Sequence, residues 1–237
     1  MKILKVLSAL LCYPQADVQA ALGEMAEVLE AERLLPVRER RALLAFMDRL
    51  AATDLMDLQE RYVASFDRGR ALSLHLFEHV HGESRDRGQA MVNLLEIYRR
   101  HGFELNAREL PDYIPLFLEY LAQRPEAEAL ALLADAMPVM ALLGARLAER
   151  GSDYHAVFAA LATLVGEPAE MEDLRRQAAT EGPDPTIVNM DQIWEEEAVT
   201  FLASRETCGA SGGARPGEEP VRWRSRPGSA PQPVRSF

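Results

Sequence analysis

Apolar residues recur at steps of three and four along almost the whole chain, and no stretch carries the alternation and turn residues of a strand hairpin. Ile3, Leu4, Leu7, Leu10 and Leu11 start the pattern, and Val18, Leu22, Met25 and Leu29 continue it on one face of a second helix. Pro36 suits the first turn of a helix that carries Leu43, Leu44, Met47 and Leu50. Thr53 or Asp54 can cap the next, with Leu55, Leu58, Tyr62 and Phe66 inward. A short helix is predicted from Ser73 to His81, stopped by Gly82. Another opens at Ser84 with Met91, Val92, Leu95 and Tyr98 inward, and closes at His101-Gly102. From Ile114 to Leu121 the apolar residues occupy two faces, so that helix is central or lends one face to a partner. Pro125 begins an Ala/Leu-rich stretch to Arg150, and Pro138 predicts its division into two helices. Gly151-Ser152-Asp153 reads as a stop followed by a cap, ahead of Val157, Phe158, Leu161 and Leu164. The loops are short. The expected fold is all-α, a single multi-helix antiparallel bundle.

The start, M-K-I-L-K-V-L-S-A-L-L-C-Y-P, imitates a secretory signal, but Lys5 interrupts its apolar run and the helical spacing accounts for it as an amphipathic first helix. No apolar run approaches the ~20 residues of a membrane span, so a soluble protein is expected. Cys12 and Cys208 cannot build a disulfide framework, which suits reducing cytosol. Near residue 204 the composition turns to Gly, Pro, Ser and Arg without periodicity. The expected organisation is therefore a helical domain over 1–203 and a disordered tail over 204–237. The tail holds six arginines against three glutamates, +3, which leaves −14 of the total −11 on the rest. Such a body repels nucleic acid and attracts a basic peptide or protein surface.

The sharpest local string is S-L-H-L-F-E-H-V-H-G-E-S, residues 73–84. His75, Glu78 and His79 spell H-x-x-E-H, in which two imidazoles one helical turn apart hold zinc beside a general base. A zinc hydrolase needs a third ligand, a longer helix and a substrate cleft, and nothing else in the chain signals these. There is no G-x-S-x-G, P-loop, dinucleotide fingerprint or C-x-x-C. Cys12 falls in the first helix's apolar period and reads as an inert thiol.

Two segments, 73–84 and 111–120, gather aromatic, histidine and acidic residues. Phe77, Tyr113, Phe117 and Tyr120 can line an apolar groove, with Glu78, Glu83, Asp112 and Glu119 supplying negative charge beside it. Such a groove suits a short amphipathic helix bearing Arg or Lys. The same pattern also describes core aromatics beneath a solvated acidic face.

At these segments the chain resembles a known family, the nitrate reductase delta-subunit type of molybdenum-cofactor assembly chaperones. The matching strings are L-K-V-L-S-A-L-L-C-Y-P near the start, L-Q-E-R-Y-V-A-S-F-D at 58–67, and S-L-H-L-F-E-H-V-H-G-E-S-R-D-R-G-Q-A-M-V at 73–92. L-P-D-Y-I-P-L-F-L-E-Y-L at 110–121 and W-E-E-E-A-V-T-F at 194–201 complete them. The resemblance runs in order from residue 3 to about 203. It implies an all-helical, non-enzymatic cytoplasmic protein, without a cofactor of its own, related to the wider group of redox-enzyme maturation chaperones. The implied client is the apo alpha subunit of respiratory nitrate reductase, including its N-terminal leader, held for molybdenum cofactor and Fe–S insertion before membrane docking. Proteins of molybdenum cofactor biosynthesis are further implied partners. The candidate client contacts are then His75, Phe77, Glu78, His79, His81, Glu83, Arg87, Asp112, Tyr113, Phe117, Glu119 and Tyr120. Alternatives from other classes are the zinc hydrolase and a helical adaptor for an unrelated partner.

Overall fold

In the computed structural model the opening period becomes α1, Lys2–Leu11, and all five of its predicted apolar positions are buried. The structure describes residues 1–82, 84–105, 109–166, 168–182 and 184, all within one unit spanning Met1–Gln192. The 194–201 string, the boundary expected at 203 and the tail lie outside the described residues. The first free amides of α1, at Lys2 and Ile3, donate to the two carboxylate oxygens of Glu32 at 2.8 and 2.9 Å. A distant acid thus does the work of an N-cap.

The other helices are α2 (Ala16–Ala20), α3 (Leu22–Glu32), α4 (Val37–Ala52), α5 (Leu55–Phe66), α6 (Leu76–His81) and α7 (Arg85–Arg100). They continue as α8 (Ile114–Ala122), α9 (Glu126–Glu149), α10 (His155–Val165) and α11 (Met171–Thr180). Among the described residues there is no strand, only one isolated antiparallel bridge, His75 with Tyr113. α1 packs along α8, where the Ser8 hydroxyl donates to the Pro115 carbonyl at 2.6 Å. α9 packs on α10 and α11, and α10 on α4. The buried side chains of these helices form a single apolar core. Burying each large apolar side chain contributes about 1.5–3 kcal/mol.

Several local signals hold. Asp54 caps α5 by accepting from the Met56 amide at 2.9 Å, and Gly102 takes φ 79° just past α7. Others yield to tertiary packing. The stretch 16–32 is two helices rather than one, and Gln19 ties α2 to the end of α4 through the Leu50 and Thr53 carbonyls. α7 turns a different face inward. Val92 is 57% exposed, whereas Leu94 and Ile97 pack on the core beside buried Tyr98, whose hydroxyl donates to the Pro111 carbonyl. Asp153 is no cap, because both its oxygens accept from Arg49.

Pro138 does not divide α9, which runs unbroken over 24 residues. The proline faces solvent, where water can satisfy the carbonyl it orphans. The buried row Leu133, Met137, Met140, Leu143 and Leu147 continues past it on the opposite side. This corrects a second expectation, since by length and composition α9 is apolar enough to cross a membrane. Here its apolar row serves the core against α10 and α11.

The α9–α10 crossing closes on a glycine: a Cβ added at Gly144 would lie 2.8 Å from Phe158 Cβ. Gly144→Ala should destabilise by up to about 2 kcal/mol, because overpacking of ~1–3 kcal/mol outweighs a helix-propensity gain of ~1 kcal/mol. Urea unfolding of the variant measures this. An unchanged midpoint would mean that α10 moves aside without cost.

Candidate functional site

Ser73, Leu74 and His75 do not join the helix predicted over 73–81; α6 starts only at Leu76. The reason lies in the 110–114 turn, which competes for their backbone. The Leu74 carbonyl accepts from the Ile114 amide at 2.8 Å, and the Asp112 carbonyl accepts from the Leu76 amide at 3.0 Å. The Asp112 carboxylate, fully buried, accepts from the Phe77 amide at 3.1 Å and from His75 Nδ1 at 3.3 Å. One buried acid therefore clamps the two segments together. Burial opposes the charge on Asp112, but the bonds from His75 and Phe77 outweigh it and hold the carboxyl below the ordinary carboxylate range. The same Asp112 bond raises His75 against the opposing effect of burial.

Beside the clamp opens a concavity of about 520 Å³. Its wall is built of rings: Tyr62 meets Tyr13 edge-on at 5.5 Å and Phe66 at a tilt at 4.9 Å, while Tyr113 stacks obliquely on His75 at 5.5 Å. The Tyr62 hydroxyl donates to the Leu11 carbonyl at 2.9 Å and lies 3.2 Å from the Tyr113 hydroxyl. Burial pushes both phenols upward, Tyr113 to about 12, so the wall stays uncharged across the physiological range. Tyr13 is 42% exposed and offers its ring to an incoming apolar group. Asp67, Glu78 and Glu109 line the same opening, but so do Arg68 and Arg70. The rim is therefore mixed in charge rather than uniformly acidic.

Of the residues singled out from sequence, His75, Glu78 and Tyr113 line this concavity. Glu119 is exposed on α8. With Glu109 it adds to burial, the larger cause, in raising the Cys12 thiol to about 11, which leaves that thiol unreactive. Asp112 lies beneath as the clamp. Phe77, His79, His81 and Arg87 stand on the α6–α7 side, where Phe77 packs against His81 and Arg87 pairs with Glu78 at 3.1 Å. Phe117 and Tyr120 are 5% and 3% exposed members of the core, so they do not line the opening. A helix apolar on two faces is here a central helix. Glu83 lies outside the described residues. Tyr13, Tyr62 and Phe66 replace the missing aromatics. Tyr62 and Phe66 read in sequence as ordinary inward positions, and only the exposed Tyr13 next to Pro14 hints at a surface role.

The H-x-x-E-H histidines do not converge. His75 Nδ1 faces Asp112, while His79 Nε2 donates to the Ser73 carbonyl at 2.8 Å, and burial lowers the latter's basicity. Among the described residues no three His, Cys, Asp or Glu side chains gather as a metal site.

The profile of the nitrate reductase delta subunit family matches residues 14–160, and the chain belongs to that family. It is 48% identical over 208 residues to the nitrate reductase molybdenum cofactor assembly chaperone NarJ of Escherichia coli K12, covering 88% of each chain. It is 42% identical over 208 residues to the probable chaperone of the same description, NarW, from that strain, covering 88% of this chain and 87% of the other. To the Bacillus subtilis relative, a probable chaperone of the same kind named NarJ, it is 31% identical over 162 residues, covering 67% and 87%.

Proposed function

We propose that this protein is a dedicated assembly chaperone for respiratory nitrate reductase. It binds the apo alpha subunit, including its N-terminal leader, and holds it in the cytoplasm until the molybdenum cofactor and an Fe–S cluster are inserted. Membrane docking of the client follows. Proteins that make and deliver the cofactor are its further partners, and its own role is binding rather than catalysis. The description carried by the relatives supports the client. The observation that carries the mode of binding is the ring-walled concavity between α5, the 67–75 loop and Tyr113. An amphipathic leader helix would set apolar anchors against Tyr13 and Tyr113 and a basic side chain toward Glu78 or Glu109. Release follows from differential affinity: once folded around its cofactor, the client no longer presents the same helix.

The test is calorimetric titration of the protein with a peptide copying the alpha-subunit leader, and with the whole apo-subunit, at two salt concentrations. Saturable binding that weakens with salt is expected. Heat from neither titration would overturn the proposal and leave the fold to serve an unrelated partner.

A further inference from the structure

We propose that a second concavity, separated from the first by the aromatic cluster, binds a small phosphate-bearing anion. It measures about 380 Å³, within the range of small-molecule sites, and is formed where the ends of α4 and α9 meet the middle of α5. Three arginines line it, Arg49, Arg61 and Arg150, against one acid, Asp153. Asp153 is already satisfied, since Arg49 donates to its two oxygens from Nε and Nη2 at 2.7 and 2.8 Å. The side chains of Arg61 and Arg150 make no ion pair among the described residues. Arg150 helps to stabilise the charge of Glu181, whose fork partner is Arg146. In a chain of net charge −11, a hollow that gathers three guanidiniums against one carboxylate of its own lining calls for a reason.

Helix dipoles supply part of one. Arg49 and Arg150 sit at the C-terminal ends of α4 and α9, where cations are favoured. That accounts neither for Arg61, in mid-α5, nor for the floor. Tyr154 there is only 7% exposed, packed edge-on against Phe46 and Phe66 at 5.0 and 4.9 Å. Its hydroxyl has no hydrogen-bond partner among the described residues and is not sealed from solvent, so it is free to donate to a ligand. The amides of Asp153 and Tyr154, just ahead of α10, likewise donate to no described group. Phosphate oxygens would complete all of these at once: fork-shaped donors from Arg61 and Arg150, a phenol, and amides at a helix start. The +2 balance of the lining matches a dianion. Leu50 and Leu58 give the rest of such a ligand an apolar seat.

The experiment is calorimetric titration of the full chain with inorganic pyrophosphate at low ionic strength. One saturable site is expected. The double variant Arg61→Glu/Arg150→Glu should weaken it at least about 100-fold, and Tyr154→Phe about tenfold, with unchanged helical circular dichroism. If the double variant fails to fold, Arg61→Gln alone should still weaken binding about tenfold. Arg85→Glu/Arg99→Glu, on exposed positions of α7, should leave it within about twofold. The proposal fails if no saturable heat appears or if the α7 control weakens binding as much as the site variant. It also fails if a hexaglutamate peptide binds more tightly than pyrophosphate, which would assign this face to an acidic protein partner.

Discussion

Asp112→Ala is expected to lower the thermal midpoint by about 6–12 °C, corresponding to about 3 kcal/mol in a chain of this size. The carboxylate is fully buried and serves the Phe77 amide and His75 Nδ1, so its loss strands both. Asp112→Asn can still accept from Phe77 but carries no charge for His75, and should recover about half the loss. The pH dependence has a definite sign. Asp112 is lowered from its ordinary 3.8, so its contribution is present above that value and drains away as pH falls through the lowered one. His75 is raised from its ordinary 6.5, so its contribution is present below that value and is lost as pH rises through the raised one. The clamp is therefore strongest between 3.8 and 6.5. Denaturant titrations of parent and His75→Gln across pH should differ most in that window. An Asp112→Ala protein melting within about 2 °C of the parent would show that the two segments are held by something else.

Tyr113→Ala is expected to weaken capture of the leader peptide about 30-fold, the ~2 kcal/mol typical of a central aromatic anchor. Tyr113→Phe keeps the ring and loses only the contact with the Tyr62 hydroxyl, so it should bind within about threefold of the parent. Glu119→Arg, at an exposed position, should weaken capture about tenfold at low salt and flatten its salt dependence. Phe117→Ala and Tyr120→Ala serve as contrasts. Both side chains are core, so they should cost about 3–5 kcal/mol of stability and reduce binding only through unfolding. If Tyr113→Ala binds the leader as the parent does, the leader does not lie in this concavity.

Helix type and most helix positions were legible because each depends on residues three or four apart, as with Leu4 and Leu7 in α1 or the Asp54 cap of α5, whereas α11 (Met171–Thr180) was not read from the sequence. What could not be read depends on partners distant in sequence. His75 leaves its helix because residues 112 and 114 compete for the neighbouring backbone. Pro138 is tolerated because it faces outward while its neighbours are buried, which periodicity alone does not weigh against a breaker. The candidate site was half legible for the same reason. The strings 73–84 and 111–120 come together in the structure, and His75, Glu78 and Tyr113 line the same concavity. Which aromatics point outward is decided by packing: Phe117 and Tyr120 turn into the core, while Tyr13 closes the wall from the end of α1.

The pairing of α1 with α8 has a consequence for how the chain comes into being. Ser8 and its acceptor at Pro115 are 107 residues apart. At ribosomal rates of about 5–20 residues per second, the first helix waits several seconds for the surface that will cover it. Through that interval the side of α1 that packs on α8 stays uncovered, while α3 can already meet the rest of the helix. The protein proposed to shelter another subunit thus has an exposed apolar helix face of its own to protect until α8 is made.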